Sequence, residues 1–209
     1  LNIAAVYYNM EDRPIWGAGG YHFYTEGFNP YDFGFSEETA GFMGTVGYPF
    51  SRFMRAEATG YVFYSEKSYF ADIEPVRYGG FSSLKLSLIR DNAIWGHTGP
   101  IEGFRGNATI GGTMRLNTGE VSSYIASADL RYYLRLTKRS ALAFRMVGRT
   151  SDGPEPERFW MGGTWDFRGY PFYYFYGRNL LFSSTELRYP LLDQFRLKFP
   201  FLDANMRGI

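Results

Sequence analysis

The sequence predicts an all-β, antiparallel transmembrane barrel, and three observations carry that reading. Long segments alternate apolar and polar residues with a period of two, the pattern of strands with two unlike faces. Aromatic residues make up 20% of the chain, with 18 Tyr and 20 Phe. Tyr joins an apolar body to a polar tip and so suits a membrane–water boundary. No run of 18 or more apolar residues occurs, so no membrane-crossing helix is encoded. The mean hydropathy of −0.29 is compatible, because a strand that is apolar on one side only averages to a hydrophilic value.

Ten strand candidates follow along the chain, at about 1–9, 15–26, 39–49, 51–65, 76–90, 102–117, 121–136, 139–150, 177–190 and 194–208. Most exceed the ~5–6 residues of a soluble strand. Several reach the ~9–11 residues that a tilted strand needs to cross a bilayer. In the fifth, Leu84, Leu86 and Leu88 oppose Ser83, Lys85 and Ser87. In the sixth, Phe104, Ala108, Ile110, Met114 and Leu116 oppose Arg105, Asn107, Thr109, Thr113 and Arg115. The seventh alternates most clearly: Tyr124, Leu130, Tyr132 and Leu134 share one face, and Ser127, Asp129, Arg131 and Arg135 share the other. In the eighth, Arg145 and Arg149 oppose Leu142, Phe144 and Met146. The ninth sets Ser184, Glu186 and Arg188 against Thr185, Leu187 and Tyr189. A register slip of one residue would exchange these faces, so the pattern fixes the pairing.

The joins alternate in length. Those at 9–14, 49–51 and 137–139 are short, and those at 27–38, 66–75 and 151–176 are long. Outer-membrane barrels have short turns at one end and longer loops at the other. Two joins depart from the rule: 117–120 is short at the long-loop end, and 91–101 is long at the short-turn end. A soluble antiparallel sandwich alternates in the same way. Against it stand the length of the strands and the number of charges on the polar face.

Several function classes are excluded. A net charge of +1 gives no concentrated basic face for nucleic acid. Without Cys there is no disulfide or thiol chemistry. His22 and His97 have no second His or Cys nearby, so no zinc site is expected. His22, in a Tyr-His-Phe-Tyr run, reads as an interface residue. No Gly-x-Ser-x-Gly or P-loop motif occurs, and Thr164-Trp165-Asp166 is not a hydrolase signature. Glu37-Glu38 and Glu155/Glu157 read as solvated loop charge. No enzyme activity, cofactor or metal is expected.

The stretch from Phe159 to Leu192 carries the most specific pattern. A Gly162-Gly163 pair is followed by Phe167-Arg168-Gly169-Tyr170, and then by a strand with Glu186 on its polar face that ends in Arg188-Tyr189-Pro190. This resembles the signature loop of the Omp85 superfamily of outer-membrane β-barrels, the bacterial surface antigen domain. The longer inner join, Arg90-Asp91-Asn92 with Gly99-Pro100 and Gly103, is similar to a turn found in that family. It also reads as a plain polar turn, since Asp, Asn and Gly are ordinary turn residues.

The resemblance implies a sixteen-stranded barrel in which the signature loop joins strands eleven and twelve. Eight candidates precede that loop and two follow it, so residues 1–209 are expected to be one incomplete barrel domain of about ten strands. The loop, about 151–176, would fold inward. Its Arg168 would meet acids on the inner wall, Glu186 first and Asp203 second. Asp203 shares parity with Phe199 and Phe201, so it needs a bend at Pro200. Gly162, Gly163 and Gly169 would let the backbone turn sharply and approach the wall.

The function implied is assembly of other outer-membrane proteins or translocation of polypeptide, in the outer membrane of a Gram-negative-type bacterium. The implied partners are outer-membrane lipid, unfolded or nascent outer-membrane polypeptides and other subunits of an envelope complex. The alternative is a structural or passive pore-forming barrel, a subunit or anchor of a larger surface complex. A third reading is a barrel that anchors a lipase or protease domain.

Overall fold

The computed structural model describes residues 2–11, 13–28, 34–70, 77–96, 99–164, 166–189, 195–199 and 202–206. The described residues form strands and no helix. In chain order these are β1 (Ile3–Asn9), β2 (Ile15–Phe28), β3 (Gly34–Ser51), β4 (Met54–Tyr69), β5 (Arg77–Asp91), β6 (Ile94–Gly96), β7 (Gly99–Arg115), β8 (Val121–Arg135), β9 (Ala141–Asp152), β10 (Phe159–Met161), β11 (Phe175–Gly177), β12 (Asn179–Arg188), β13 (Phe195–Phe199) and β14 (Leu202–Met206).

One antiparallel sheet of ten strands dominates. Its order is β1-β2-β3-β4-β5-β7-β8-β9-β12, with β6 paired to β7 beside this path. Among the described residues β1 and β12 are its two edges and do not pair with each other. Neighbours in the path follow one another in chain order, with only the short strand β6 between β5 and β7 and the short ladder β10–β11 between β9 and β12. The long strands run from 10 residues in β12 to 18 in β3.

Pairing carries like to like across the sheet. Leu86 faces Ile110, which faces Ala126, and Leu84 faces Gly112, which faces Tyr124. On the other side Asn107 faces Asp129, and Arg131 faces Arg145. The apolar face is the exposed one: Leu84 is 54% exposed, Leu86 47% and Leu181 81%. The Asp129 and Arg145 side chains are only 21% and 18% exposed. Among the described residues no second sheet covers the leucines, as a sandwich would require.

Three details differ from the expected elements. β3 begins at Gly34, which puts Glu37 and Glu38 on a strand instead of in a loop. The expected strand 194–208 is replaced by the short strands β13 and β14, paired with each other. That run contains Pro200, which has no N–H to donate to a ladder. The long loop between β9 and β12 holds its own two-stranded ladder, β10 with β11.

The buried core lies on the charged face. Val147 of β9, Met161 of β10 and Phe182 of β12 form it, with Phe167 and Leu180 packed against them. The loop between β9 and β12 therefore folds back over the face that carries the ions.

Candidate functional site

The site is built from β8, β9 and β12 below and the loop above. Asp129 and Arg131 lie two apart on β8, so they share a face. They form a forked pair, Arg131 Nε to Asp129 Oδ1 at 2.9 Å and Nη2 to Oδ2 at 2.8 Å. Arg145 of the next strand donates to the same carboxylate at 2.9 Å. It also reaches up to the loop, where its Nη1 lies 3.2 Å from Asp166 Oδ1.

Asp166, Phe167 and Arg168 are consecutive, and each takes a different hold on the sheet. Asp166 meets the cation Arg145 of β9. Phe167 packs edge-on against Phe182 of β12, with ring centres 5.7 Å apart. Arg168 Nη2 lies 3.1 Å from Glu186 Oε1. Loop acid on sheet base and loop base on sheet acid make the docking charge-complementary in one register only. Tyr170 packs against Phe167, ring centres 4.8 Å apart and the planes tilted by 32°. A cleft of about 550 Å³ opens beside this clamp, lined in part by Arg105, Arg131, Tyr133, Thr164 and Ser184.

Glu186 has a second partner. Its Oε2 accepts from Arg188 at 3.1 Å, and Arg188 also donates to the Pro100 carbonyl at 3.4 Å. The Arg188 guanidinium lies 5.5 Å from the Tyr133 ring. One acid thus joins the loop tip to the turn before β7. The sequence reading placed Arg188 on the face of Glu186 but gave it no role. For Asp166 the sequence offers only that no hydrolase motif surrounds it. The signal that marks both is local: opposite charges two residues apart, at 166/168 and 186/188.

The turn before β7 is stitched by two of its motif residues. Phe104 N–H donates to Asn92 Oδ1 at 2.8 Å, and Ala93 N–H to Asp91 Oδ1 at 3.1 Å. Asp91 also meets Arg105, Oδ2 to Nε at 3.3 Å. Gly99 and Gly103 have φ of 110° and 105°, and a β-carbon at Gly103 would sit 2.6 Å from the Asn92 carbonyl oxygen. Arg90 does not join them; it lies on the opposite face, 5.8 Å from the Phe104 ring.

The loop glycines turn the backbone, with φ of 140°, 87° and 91° at Gly162, Gly163 and Gly169. They approach the loop's own chain, not the sheet. A β-carbon at Gly162 would lie 2.2 Å from the Pro171 carbonyl oxygen, and one at Gly163 2.3 Å from the Phe172 ring. At Gly169 it would meet nothing within 4 Å.

Other expected residues are placed as follows. Glu155 and Glu157 are not solvated loop charge. Glu155 pairs with Arg115 of β7 and accepts from Ser122, while Glu157 lies 3.7 Å from Lys85 of β5. They fold onto the charged face because cations wait there. Glu37 accepts from Ser65 on β4 at 2.8 Å, and Glu38 meets His22 at 2.7 Å. Asp203 lies on β14 in register with Lys198; its side chain, like His97, lies outside the described residues. Among the described residues no group of three His, Cys, Asp or Glu could hold a metal.

The arrangement holds a loop against the sheet; its carboxylates are committed to guanidinium groups. No family model matches the chain, and no curated protein matches it.

Proposed function

We propose that these strands are part of the wall of a transmembrane β-barrel in a Gram-negative-type outer membrane, and that the barrel handles polypeptide. The observation that carries the membrane reading is the inversion of the sheet. Its leucines and aromatic residues are exposed, and its charges are half-buried beneath a loop. In water that arrangement leaves an apolar patch larger than a soluble monomer tolerates. In lipid it is the stable one, with alternate residues facing acyl chains and the interior.

Support for polypeptide handling comes from the loop. The Gly-Gly and Phe-Arg-Gly-Tyr pattern resembles the Omp85 signature, and its arginine reaches an acid on the next strand. The role is mechanical, not chemical. The loop plugs and braces the interior, and substrate strands are received by β-augmentation at a sheet edge. No cofactor is needed.

The chain has no Cys, so single cysteines report cleanly. In the full protein in vesicles, cysteines replacing Leu86 or Tyr132 should resist a water-soluble maleimide, and one replacing Lys85 should react. Equal reaction at all three ends the membrane reading. The same vesicles test the function. Faster folding of an unfolded outer-membrane barrel protein supports polypeptide handling. Ion conductance without that acceleration indicates a passive pore.

A further inference from the structure

The Arg90-Asp91-Asn92 motif is divided between the two faces of the sheet. Asp91 and Asn92 hold the turn, while Arg90 continues the exposed row Leu84, Leu86, Leu88 on the apolar side. Arg90 is exposed and makes no ion pair with a described residue. Arg52 occupies the turn between β3 and β4, next to Phe53, whose carbonyl accepts the N–H of Asp91, the residue after Arg90, at 2.9 Å. Arg52 is also exposed and pairs with no described acid. Arg90 and Arg52, neither in an ion pair with a described residue, thus lie at the short-turn end of the sheet, the Arg90 guanidinium resting 5.8 Å from the Phe104 ring.

A trough begins beside them. Ala56 and Ala58 of β4 form its floor, Val46 and Tyr48 of β3 one bank, and Leu86 and Leu88 of β5 the other, around an open depression of about 580 Å³. It continues past Gly60 and Gly44, where an added β-carbon would have no neighbour closer than 4.0 Å. From Ala56 to Gly60 the strand rises roughly 13 Å at ~3.3 Å per residue. That is close to one leaflet of a hydrocarbon core about 30 Å thick.

We propose that this trough binds one anionic glycerophospholipid from the leaflet at the short-turn end. The phosphate sits at Arg90 and Arg52, and one acyl chain lies over Ala56, Ala58 and Gly60. Charge complementarity selects the headgroup, since a guanidinium makes forked contacts to phosphate. The trough selects a chain over a bulky side chain. The inference rests on the membrane reading, but not on polypeptide handling.

The test is native mass spectrometry of the full protein released from detergent, with phosphatidylglycerol and phosphatidylcholine in competition. The wild type should retain phosphatidylglycerol preferentially. Arg90→Gln should lower that preference about fivefold (~1 kcal/mol), Arg90→Lys should keep only part of it, and Ala58→Phe should weaken retention of both lipids by filling the trough. Lys138→Gln, in another turn at the same end, is the control. Equal loss in Lys138→Gln and Arg90→Gln, or no loss in Arg90→Gln, overturns the site. A heat-dependent gel shift in each variant shows that the barrel is folded. A wild-type protein that is monodisperse without detergent overturns the membrane reading itself.

Discussion

Arg168 and Glu186 meet at 3.1 Å although they come from opposite ends of the sheet. The loop leaves β9 at Asp152, while Glu186 lies two residues from the far end of β12. The Arg168 side chain is 71% exposed, and an exposed pair contributes only about 0–1 kcal/mol. Arg168→Ala is therefore expected to leave the denaturation midpoint in detergent nearly unchanged while protease cuts the 152–178 loop faster. Arg168→Lys should slow cutting only in part, because an ammonium lacks the forked geometry. Unchanged cutting in Arg168→Ala sinks the clamp.

Arg145 is the more costly residue to lose. It is 18% exposed and is shared by Asp129 and Asp166. Arg145→Ala leaves Asp129 with Arg131 alone and frees Asp166, so stability should fall by about 1–3 kcal/mol. Asp166→Asn should free the loop with less effect on the midpoint. A larger destabilisation from Arg168→Ala than from Arg145→Ala would reverse this ranking.

Leu84 sits midway along β5 on the apolar face and is 54% exposed. In water an exposed Leu→Arg change costs little. At the middle of a bilayer it costs about 2–4 kcal/mol. Unfolding of Leu84→Arg in lipid vesicles should show that loss, and a neutral result contradicts the membrane placement.

Gly162 and Gly169 separate two effects. Both have positive φ, but only Gly162 is also crowded, by the Pro171 carbonyl. Gly169→Ala should cost about 1 kcal/mol for the backbone conformation, and Gly162→Ala more than 2 kcal/mol because the backbone must also shift. Loop proteolysis in the two variants gives the order.

Most of the sheet was legible because its C-terminal half alternates without interruption. Lys85, Asp129, Arg131 and Arg145 mark one face, and the leucines between them mark the other. The N-terminal half was harder to read. There both faces carry rings: Phe63 stacks on Phe81 with centres 5.4 Å apart on the charged side, while Phe42 and Tyr64 are exposed on the other. Alternation by polarity therefore fades although alternation by face persists. The Arg168–Glu186 contact was expected from a pattern, not from physics. Asp166 was missed because its partner Arg145 lies 21 residues away; Arg188 has its acid, Glu186, two residues away, and only its contact with the Pro100 carbonyl, 88 residues away, is remote. Glu155 and Glu157 were misread because an acid in a long loop says nothing about which cation it finds.

The division of Glu186 between two arginines decides how the loop lets go. Oε1 serves Arg168, and Oε2 serves Arg188. When the loop departs, the carboxylate keeps one guanidinium and is never stranded without a counterion. Parting Arg168 from Glu186 therefore breaks a single solvated contact and orphans no charge, while the Asp166–Arg145 pair and the Phe167–Phe182 contact are separate holds. Arg188 holds the Glu186 carboxylate neutralised whether or not Arg168 is seated on it.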